Sequence, residues 1–228
     1  MLSYDDKNVK LITFLGMERC DIVYYAAAVF ASAKKNVLVI DNSCLHDFFR
    51  SIPKPEKEPY AKVGKITCVA DRKMSYDFFY EFDIVICYNG CSKGKDATEI
   101  MNKSDIIYVQ TSYNPYQVED ISKLLSDDIE GDYEIIFRDK PSGKVSESII
   151  IDELGFIPEA VKESFIFSYD MQDYACYINF IRNGHQKLSP LSGDIRSFLM
   201  TLYEEFMPEI DKKESKKLFR RALSGKIE

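Results

Sequence analysis

Continuous apolar runs of strand length alternate with helical segments along most of the chain, and this alternation limits the fold more than any other feature. Residues 37–40 (VLVI) and 84–87 (IVIC) are apolar at every position. Strands buried on both faces have this composition, whereas half-exposed strands alternate apolar and polar residues. The sequence therefore predicts an α/β fold: a mostly parallel seven-stranded sheet with helices on both faces. The predicted strands are residues 10–15, 37–41, 65–70, 83–88, 105–110, 133–138 and 164–168.

Helical patterns fill the intervals between these runs. They predict helices over residues 21–34, 44–51, 75–82, 95–103, 115–126, 146–154 and 191–206. Three prolines among charged residues at 52–62 predict an exposed, stiff connection before the third strand. No linker of low complexity interrupts the chain, so we expect one α/β domain over residues 1–208 and a basic C-terminal tail over residues 209–228.

The first strand ends in Gly16, and a helix follows at once, with Asp21 predicted as its N-cap. A helix that begins directly after a buried parallel strand presents free N–H groups, which attract anions such as phosphate. Arg19 can meet such an anion, and Asp41, at the end of the second strand, can act as a residual magnesium ligand. Two other interpretations stay open: Arg19 can be a solvated turn residue, and Asp41 can cap the next turn.

Four segments, in order, resemble the MinD/ParA family of deviant Walker-A P-loop ATPases. Residues 34–41 (KKNVLVID) are similar to the family's second strand, GKRVLLID, and residues 82–88 (FDIVICY) stand where the family has its Walker-B strand, YDxVIID. Residues 104–111 (SDIIYVQT) resemble the family strand that begins with AD, and residues 167–170 (FSYD) resemble its IPYD element. The resemblance spans about residues 10–206 and implies a P-loop NTPase fold.

The residues that hold phosphate and magnesium in that family are replaced in this chain. The family loop, KGGxGKT[ST], wraps phosphates in glycine-rich backbone and offers a hydroxyl to magnesium. Of its glycines only Gly16 corresponds, in a turn about four residues shorter. The resemblance puts Arg19 at the loop lysine and Cys20 at the Ser/Thr, although magnesium prefers oxygen ligands. Tyr88 takes the place of the Walker-B aspartate, and Ser43 that of a second acidic residue.

The resemblance therefore implies a degenerate nucleotide site, in which parts needed for phosphoryl transfer are missing. We expect no catalytic residue, no bound metal and no required cofactor; ATP is the nucleotide expected if one binds, with magnesium left open. Arg138 stands at the family's base-reading asparagine. The candidate nucleotide contacts are Gly16, Met17, Glu18, Arg19, Cys20, Asp21, Asp41 and Arg138.

The expected function is that of a pseudo-ATPase: a non-catalytic positioning or scaffold protein for a pilus, secretion or partition apparatus, similar to the TadZ-like divergent members. One alternative is an ATP-binding protein with weak ATPase activity through an atypical loop. The other is a membrane-associated structural subunit that dimerises. A protein partner or a homodimer is expected in each case.

The C-terminus is strongly basic. Residues 212–226 carry seven basic residues and one acidic residue, a net charge of +6, so the rest of the chain carries −13 of the total of −7. A helix here would separate an apolar side from a basic side, as in the similar C-terminal membrane-targeting helix of MinD proteins. An anionic membrane, a partner protein and solvent all stay open as its surroundings. The candidate contacts are Lys216, Lys217, Leu218, Phe219, Arg220 and Arg221.

Charge and composition argue against several other classes of protein. A net charge of −7 argues against a nucleic-acid partner, because the phosphate backbone is also negatively charged. The six cysteines lack any CxxC pair and the two histidines are far apart, which indicates reduced thiols and no zinc site. The sequence has neither a signal peptide nor an apolar run of spanning length. We therefore expect a cytoplasmic protein, peripheral at the inner membrane face if the tail binds lipid.

Overall fold

The computed structural model describes residues 9–54, 59–70, 79–92, 99–125, 133–143, 145–156, 161–185, 187–208 and 210–224. Within these residues the strands are β1 Lys10–Gly16, β2 Val37–Asp41, β3 Ala61–Val63, β4 Ile66–Ala70, β5 Ile84–Gly90, β6 Ile106–Thr111, β7 Tyr133–Lys140 and β8 Val161–Ser168. The helices are α1 Asp21–Ser32, α2 Asp47–Ser51, α3 Pro115–Leu124, α4 Glu147–Glu153, α5 Met171–Asn183, α6 Gly193–Phe206 and α7 Lys212–Leu223.

The eight strands form one sheet in the order β3-β4-β2-β5-β1-β6-β7-β8. Every neighbouring pair is parallel except β3 and β4, which are antiparallel. The chain passes from one side of β1 to the other between β5 and β6. Loops that leave the carboxyl ends of strands diverge at such a switch point, and ligands bind there in open α/β sheets.

Apolar side chains cover both faces of the sheet. On one face, α1, α5, α6 and α7 pack over residues such as Phe14, Ile86 and Tyr108. On the other face, α3 and α4 pack over the β6 and β7 side, and a separate apolar cluster covers the β2 and β5 side. The continuous apolar runs are therefore explained by burial on both faces.

Helix α1 is buried at all twelve of its positions. The sheet lies against one side of it, while α6 and α7 lie against the other. In α7 the side chains of Phe219 and Ala222 are buried, and Asp211 caps the helix by accepting hydrogen bonds from two backbone N–H groups. The basic C-terminal helix thus packs on its own domain.

The predicted fold class is confirmed, and some local predictions are wrong. The sheet has an eighth strand, β3, which overlaps the end of the segment predicted as an exposed connection, and Ile52 and Ala61 of that segment are buried. Helix α5 was not predicted; Asp170 caps it and Gly184, with φ +72°, ends it. The first four residues of each of the predicted helices at 75–82 and 95–103 lie outside the described residues. None of the helices in the described ranges is long and apolar enough to cross a bilayer.

Candidate functional site

The turn between β1 and α1 is tight because Gly16 lies directly against β6. Gly16 has φ +107°, and a Cβ atom there would lie 2.1 Å from the carbonyl oxygen of Gln110. The N–H of Met17 donates to the same oxygen over 3.0 Å. Both the backbone conformation and the space therefore require glycine at this position.

The Glu18 side chain reaches across the carboxyl ends of β2 and β5. Its Oε1 accepts hydrogen bonds from the N–H of Cys91 (2.7 Å) and from the N–H of Cys44 (3.3 Å). Its Oε2 is buried and has no hydrogen-bond partner in the described part of the chain. Gly90 permits this approach, since a Cβ atom there would lie 2.4 Å from Oε1. A carboxylate of the chain itself thus occupies the backbone donors of the two loops.

Asp21 is the first residue of α1, and its carboxylate is fully buried. Oδ2 accepts hydrogen bonds from Arg138 Nη2 (2.6 Å) and from Arg19 Nε (3.1 Å), while Oδ1 accepts one from the Ile22 N–H (2.9 Å). Arg19 also pairs with Asp139 over 2.8 Å. Burial opposes the ionisation of Asp21, but Arg138 and Arg19 outweigh it, so the pKa of Asp21 is lowered. The start of α1 therefore holds an internal network of two cations and two carboxylates.

The predicted N-cap is wrong by one position. Cys20, not Asp21, stands at the cap of α1, and its side chain makes no cap hydrogen bond. Burial, with a contribution from the nearby Asp47 carboxylate, raises the pKa of the Cys20 thiol well above its ordinary value. Cys20 is therefore a neutral, buried side chain.

Arg138 lies at the end of β7 and is only 2% exposed. Its guanidinium carbon lies 5.4 Å from the ring centroid of Phe167. Its Nε and Nη1 atoms are buried without a hydrogen-bond partner among the described residues. The residue that the sequence comparison assigned to base recognition is thus a buried cation held by Asp21.

Tyr88 and Asp41 occupy the ends of β5 and β2 and pair with each other in the sheet register. Tyr88 is fully buried, and burial raises the pKa of its phenol. The Asp41 carboxylate accepts hydrogen bonds from Ser43 Oγ (2.6 Å), from the Ser43 N–H (3.1 Å) and from the Phe49 N–H (2.9 Å). The sequence left two interpretations open for Asp41, a residual magnesium ligand and a cap of the next turn. The hydrogen bonds that its carboxylate makes in the structure are those of a cap.

The structure brings most of the predicted contacts to one end of the sheet. Met17 lies in the same turn, and its side chain packs partly buried against the β6 and β7 side. Arg19 is an ion-paired residue, with its guanidinium carbon 5.2 Å from the ring centroid of Tyr177. The sequence interpretation missed the partners of Glu18 and the role of Asp139, because only folding brings these residues together. No group of three or more metal-ligating side chains suited to an ion occurs within the described ranges.

The six candidate residues of the C-terminal helix differ in exposure. Phe219 is buried, Leu218 and Arg221 are partly buried, and Lys216, Lys217 and Arg220 are exposed. Contact with a membrane or a partner stays a prediction, but the Phe219 ring is already packed within the domain.

No protein-family model matches the sequence, and no curated protein sequence matches it. Solved structures match over most of the chain. A ParA family ATPase from Chlorobium tepidum TLS is 12% identical with a TM-score of 0.56, over 94% of this chain and 98% of that chain. A chain of the MinC:MinD cell division protein complex of Aquifex aeolicus is 15% identical with a TM-score of 0.59, over 89% and 97%. The Pyrococcus furiosus cell division ATPase MinD is 11% identical with a TM-score of 0.56, over 88% and 99%. At these identities the likeness shows the fold, which is that of MinD/ParA-type P-loop NTPases.

Proposed function

We propose that the chain, which has a MinD/ParA-type fold, acts without nucleotide hydrolysis, as a positioning or scaffold protein for an apparatus such as a pilus, secretion or partition machine. The observation that carries the proposal is the Glu18 carboxylate, bonded to the amides of Cys91 and Cys44. A phosphate bound at the turn after Gly16 would lie close to this carboxylate, which belongs to the same turn. Two unit negative charges about 4 Å apart also repel each other by about 4 kcal/mol at an effective dielectric constant of about 20.

The residues at the positions where the resembled family holds magnesium support the same proposal. Both oxygens of Asp41 accept hydrogen bonds, one from Ser43 and one from the N–H of Phe49 in α2, and Tyr88 offers a buried phenol in place of a carboxylate. Cys20 offers a neutral thiol, which is a poor ligand for a hard cation. These residues do not fit a magnesium nucleotide in the arrangement described, and we derive no catalytic step from them.

The start of α1 also has its own anion. Asp21 lies at the first turn, where the helix dipole favours a negative charge, and it is neutralised by Arg138 and Arg19. The partner class follows by analogy alone: one structural neighbour is a complex of MinD with MinC, so we propose a protein partner or a homodimer for this chain as well.

Thermal melting of the full chain with and without millimolar ATP and magnesium tests the proposal. A ligand present at 100 times its Kd stabilises the folded state by about 2.7 kcal/mol, which raises the melting temperature of a chain of this size by about 5–11 °C. We expect a shift below about 1 °C and no release of inorganic phosphate above the buffer level. A shift of several degrees, or nucleotide retained through purification, would refute the proposal and favour the ATP-binding alternative.

The variant Glu18→Ala tests whether this carboxylate excludes the anion. We expect it to gain a measurable thermal shift with ATP, because two backbone donors become free and the repulsion is removed. Glu153→Ala, which removes an exposed carboxylate from α4, is the matched control and should gain none. Equal behaviour of the two variants would show that Glu18 is not the excluding group.

A further inference from the structure

A cleft of about 410 Å³ lies between α6 and α7. On α6 its lining residues follow one helical stripe, and on α7 they follow another, with the i, i+3, i+4, i+7 spacing of a single helix face. The cleft shares no residue with the cluster around Glu18 and Asp21. Its lining residues are Gly193, Arg196, Ser197, Met200, Lys216, Phe219, Arg220 and Leu223.

Cations and apolar groups line this cleft together. Arg196, Lys216 and Arg220 are exposed, and Met200 and Leu223 are partly buried beside the Phe219 ring. No acidic residue is among the lining residues that belong to the described ranges. None of the three cations forms an ion pair within the part of the chain that the structure describes. Like charges that share a cleft repel each other, and an anionic ligand would relieve that repulsion.

The charge of the surroundings makes this cationic cleft distinctive. Residues 212–226 have a net charge of +6 in a chain whose remainder carries −13. A strongly acidic partner would be repelled by most of the molecule and attracted at this place, which directs both its position and its orientation. Electrostatic complementarity therefore selects an acidic partner.

The burial of the apolar side of α7 favours a peptide segment over a membrane surface. Phe219 and Ala222 are buried within the apolar cluster formed with α1 and α6, so they are not available to insert into a bilayer. The apolar side chains that remain beside Phe219 are those of Met200 and Leu223, which line the cleft between the two helices together with the three cations. An amphipathic helix can lay its apolar face along a groove between two helices of this kind.

We propose that the cleft between α6 and α7 is a docking site for an acidic amphipathic segment of a partner protein. Apolar side chains of the segment contact Met200 and Leu223, and its flanking carboxylates pair with Arg196 and Arg220. The inference goes beyond the proposed function, because the site does not depend on whether a nucleotide binds at the carboxyl ends of the strands.

Fluorescence anisotropy with the full chain tests the proposal. The probe is a labelled synthetic helical peptide with Leu and Phe on one stripe and Glu on the other positions. A second peptide keeps every Glu but has Ser in place of Leu and Phe. We expect the Ser peptide to bind at least about tenfold more weakly, because it has no apolar side chains to pack against Met200 and Leu223.

Charge reversal on the protein locates the binding. The double variant Arg196→Glu/Arg220→Glu should weaken binding of the amphipathic peptide at least about tenfold, and Arg182→Glu, an exposed cation on α5, should change it less than about twofold. The two reversed residues are exposed, so the fold should survive, and a melting curve checks this. With ¹³C-methyl methionine, the Met200 signal should shift on binding, while that of Met101, which is buried under the opposite face, should not.

Four results would each overturn the proposal. The first two are equal binding of the two peptides and equal losses in the double variant and Arg182→Glu. The third would assign the cleft to lipid: the chain does not bind the peptide but sediments with phosphatidylglycerol/phosphatidylethanolamine vesicles, and this sedimentation depends on Arg196 and Arg220. The fourth is concentration-dependent dimerisation that is lost in the double variant, which would assign it to a second copy of the chain.

Discussion

Replacing Asp21 with asparagine removes the charge of a carboxylate with 0% exposure and leaves Arg138, which is 2% exposed, in place. The side chain keeps its size, so the main change is the loss of the negative partner of a buried guanidinium. Removing one partner of a buried ion pair costs about 3–5 kcal/mol. In a chain of this length each kcal/mol lowers the melting temperature by about 2–4 °C, so Asp21→Asn should melt about 6–20 °C below the wild type.

Urea unfolding followed by circular dichroism at pH 7 measures this loss. Asp139→Asn is the matched control, because it removes a carboxylate that also pairs with an arginine but is 37% exposed, and it should cost no more than about 1 kcal/mol. The double variant Asp21→Asn/Arg138→Met removes both buried charges and should lose less than the sum of the two single variants.

The pH dependence supplies a second test of the same pair. The folded-state pKa of Asp21 lies below its ordinary value of 3.8. The stabilisation is therefore complete above the ordinary pKa and is lost as the pH falls through the lowered one. The stability difference between wild type and Asp21→Asn should stay constant from pH 7 to about pH 5 and shrink only in stronger acid. A loss below about 1 kcal/mol at pH 7, or a difference that persists in strong acid, would refute the reasoning.

Three further substitutions test the packing and a buried acid. Gly16→Ala should lower the free energy of unfolding in urea by about 3 kcal/mol or more, because its Cβ would meet a backbone carbonyl at 2.1 Å. Gly143→Ala is the control, since nothing lies within 4 Å of its Cβ, and it should change that free energy by no more than about 0.5 kcal/mol. Equal effects of the two substitutions would contradict the close approach of Gly16 to β6. Phe219→Ala should cost about 3–5 kcal/mol because the ring is 6% exposed, and the exposed control Lys217→Ala almost nothing; a neutral Phe219→Ala would mean that α7 is not docked. Burial raises the pKa of Glu134 to about 7 from 4.5, so the folded state binds this proton more tightly than the unfolded chain and stability falls as the pH rises from about 4.5 through 7. Glu134→Gln should therefore stabilise the protein by about 1 kcal/mol or more at pH 8 and have little effect at pH 4, and the opposite order in melting temperatures would contradict this.

The sheet and the first strand-helix-strand unit could be predicted because their signals are local. A strand buried on both faces needs an apolar residue at every position, and β2 and β5 have one at nearly all of theirs. Strand β3 was missed because three residues at a sheet edge, close to prolines, carry almost no periodic signal. Helix α5 was missed because it buries only Asp173, Cys176 and Phe180 and exposes apolar residues such as Met171 and Tyr174, so no clear apolar stripe marks it in the sequence.

The hydrogen bonds by which the chain's own side chains fill the candidate site could not be predicted, because they join residues that lie far apart in the sequence. Glu18 meets Cys44 and Cys91 across 26 and 73 positions of sequence, and Arg138 meets Asp21 across 117. Which loops adjoin is decided by the strand order, in which β5 separates β1 from β2 and β6 separates β1 from β7. The same holds for α7, whose amphipathic pattern was visible in the sequence. Only the packing of α1, α6 and α7 decided that its apolar side faces the domain. A sequence pattern shows that a helix has an apolar side, but which surface covers that side depends on the tertiary structure.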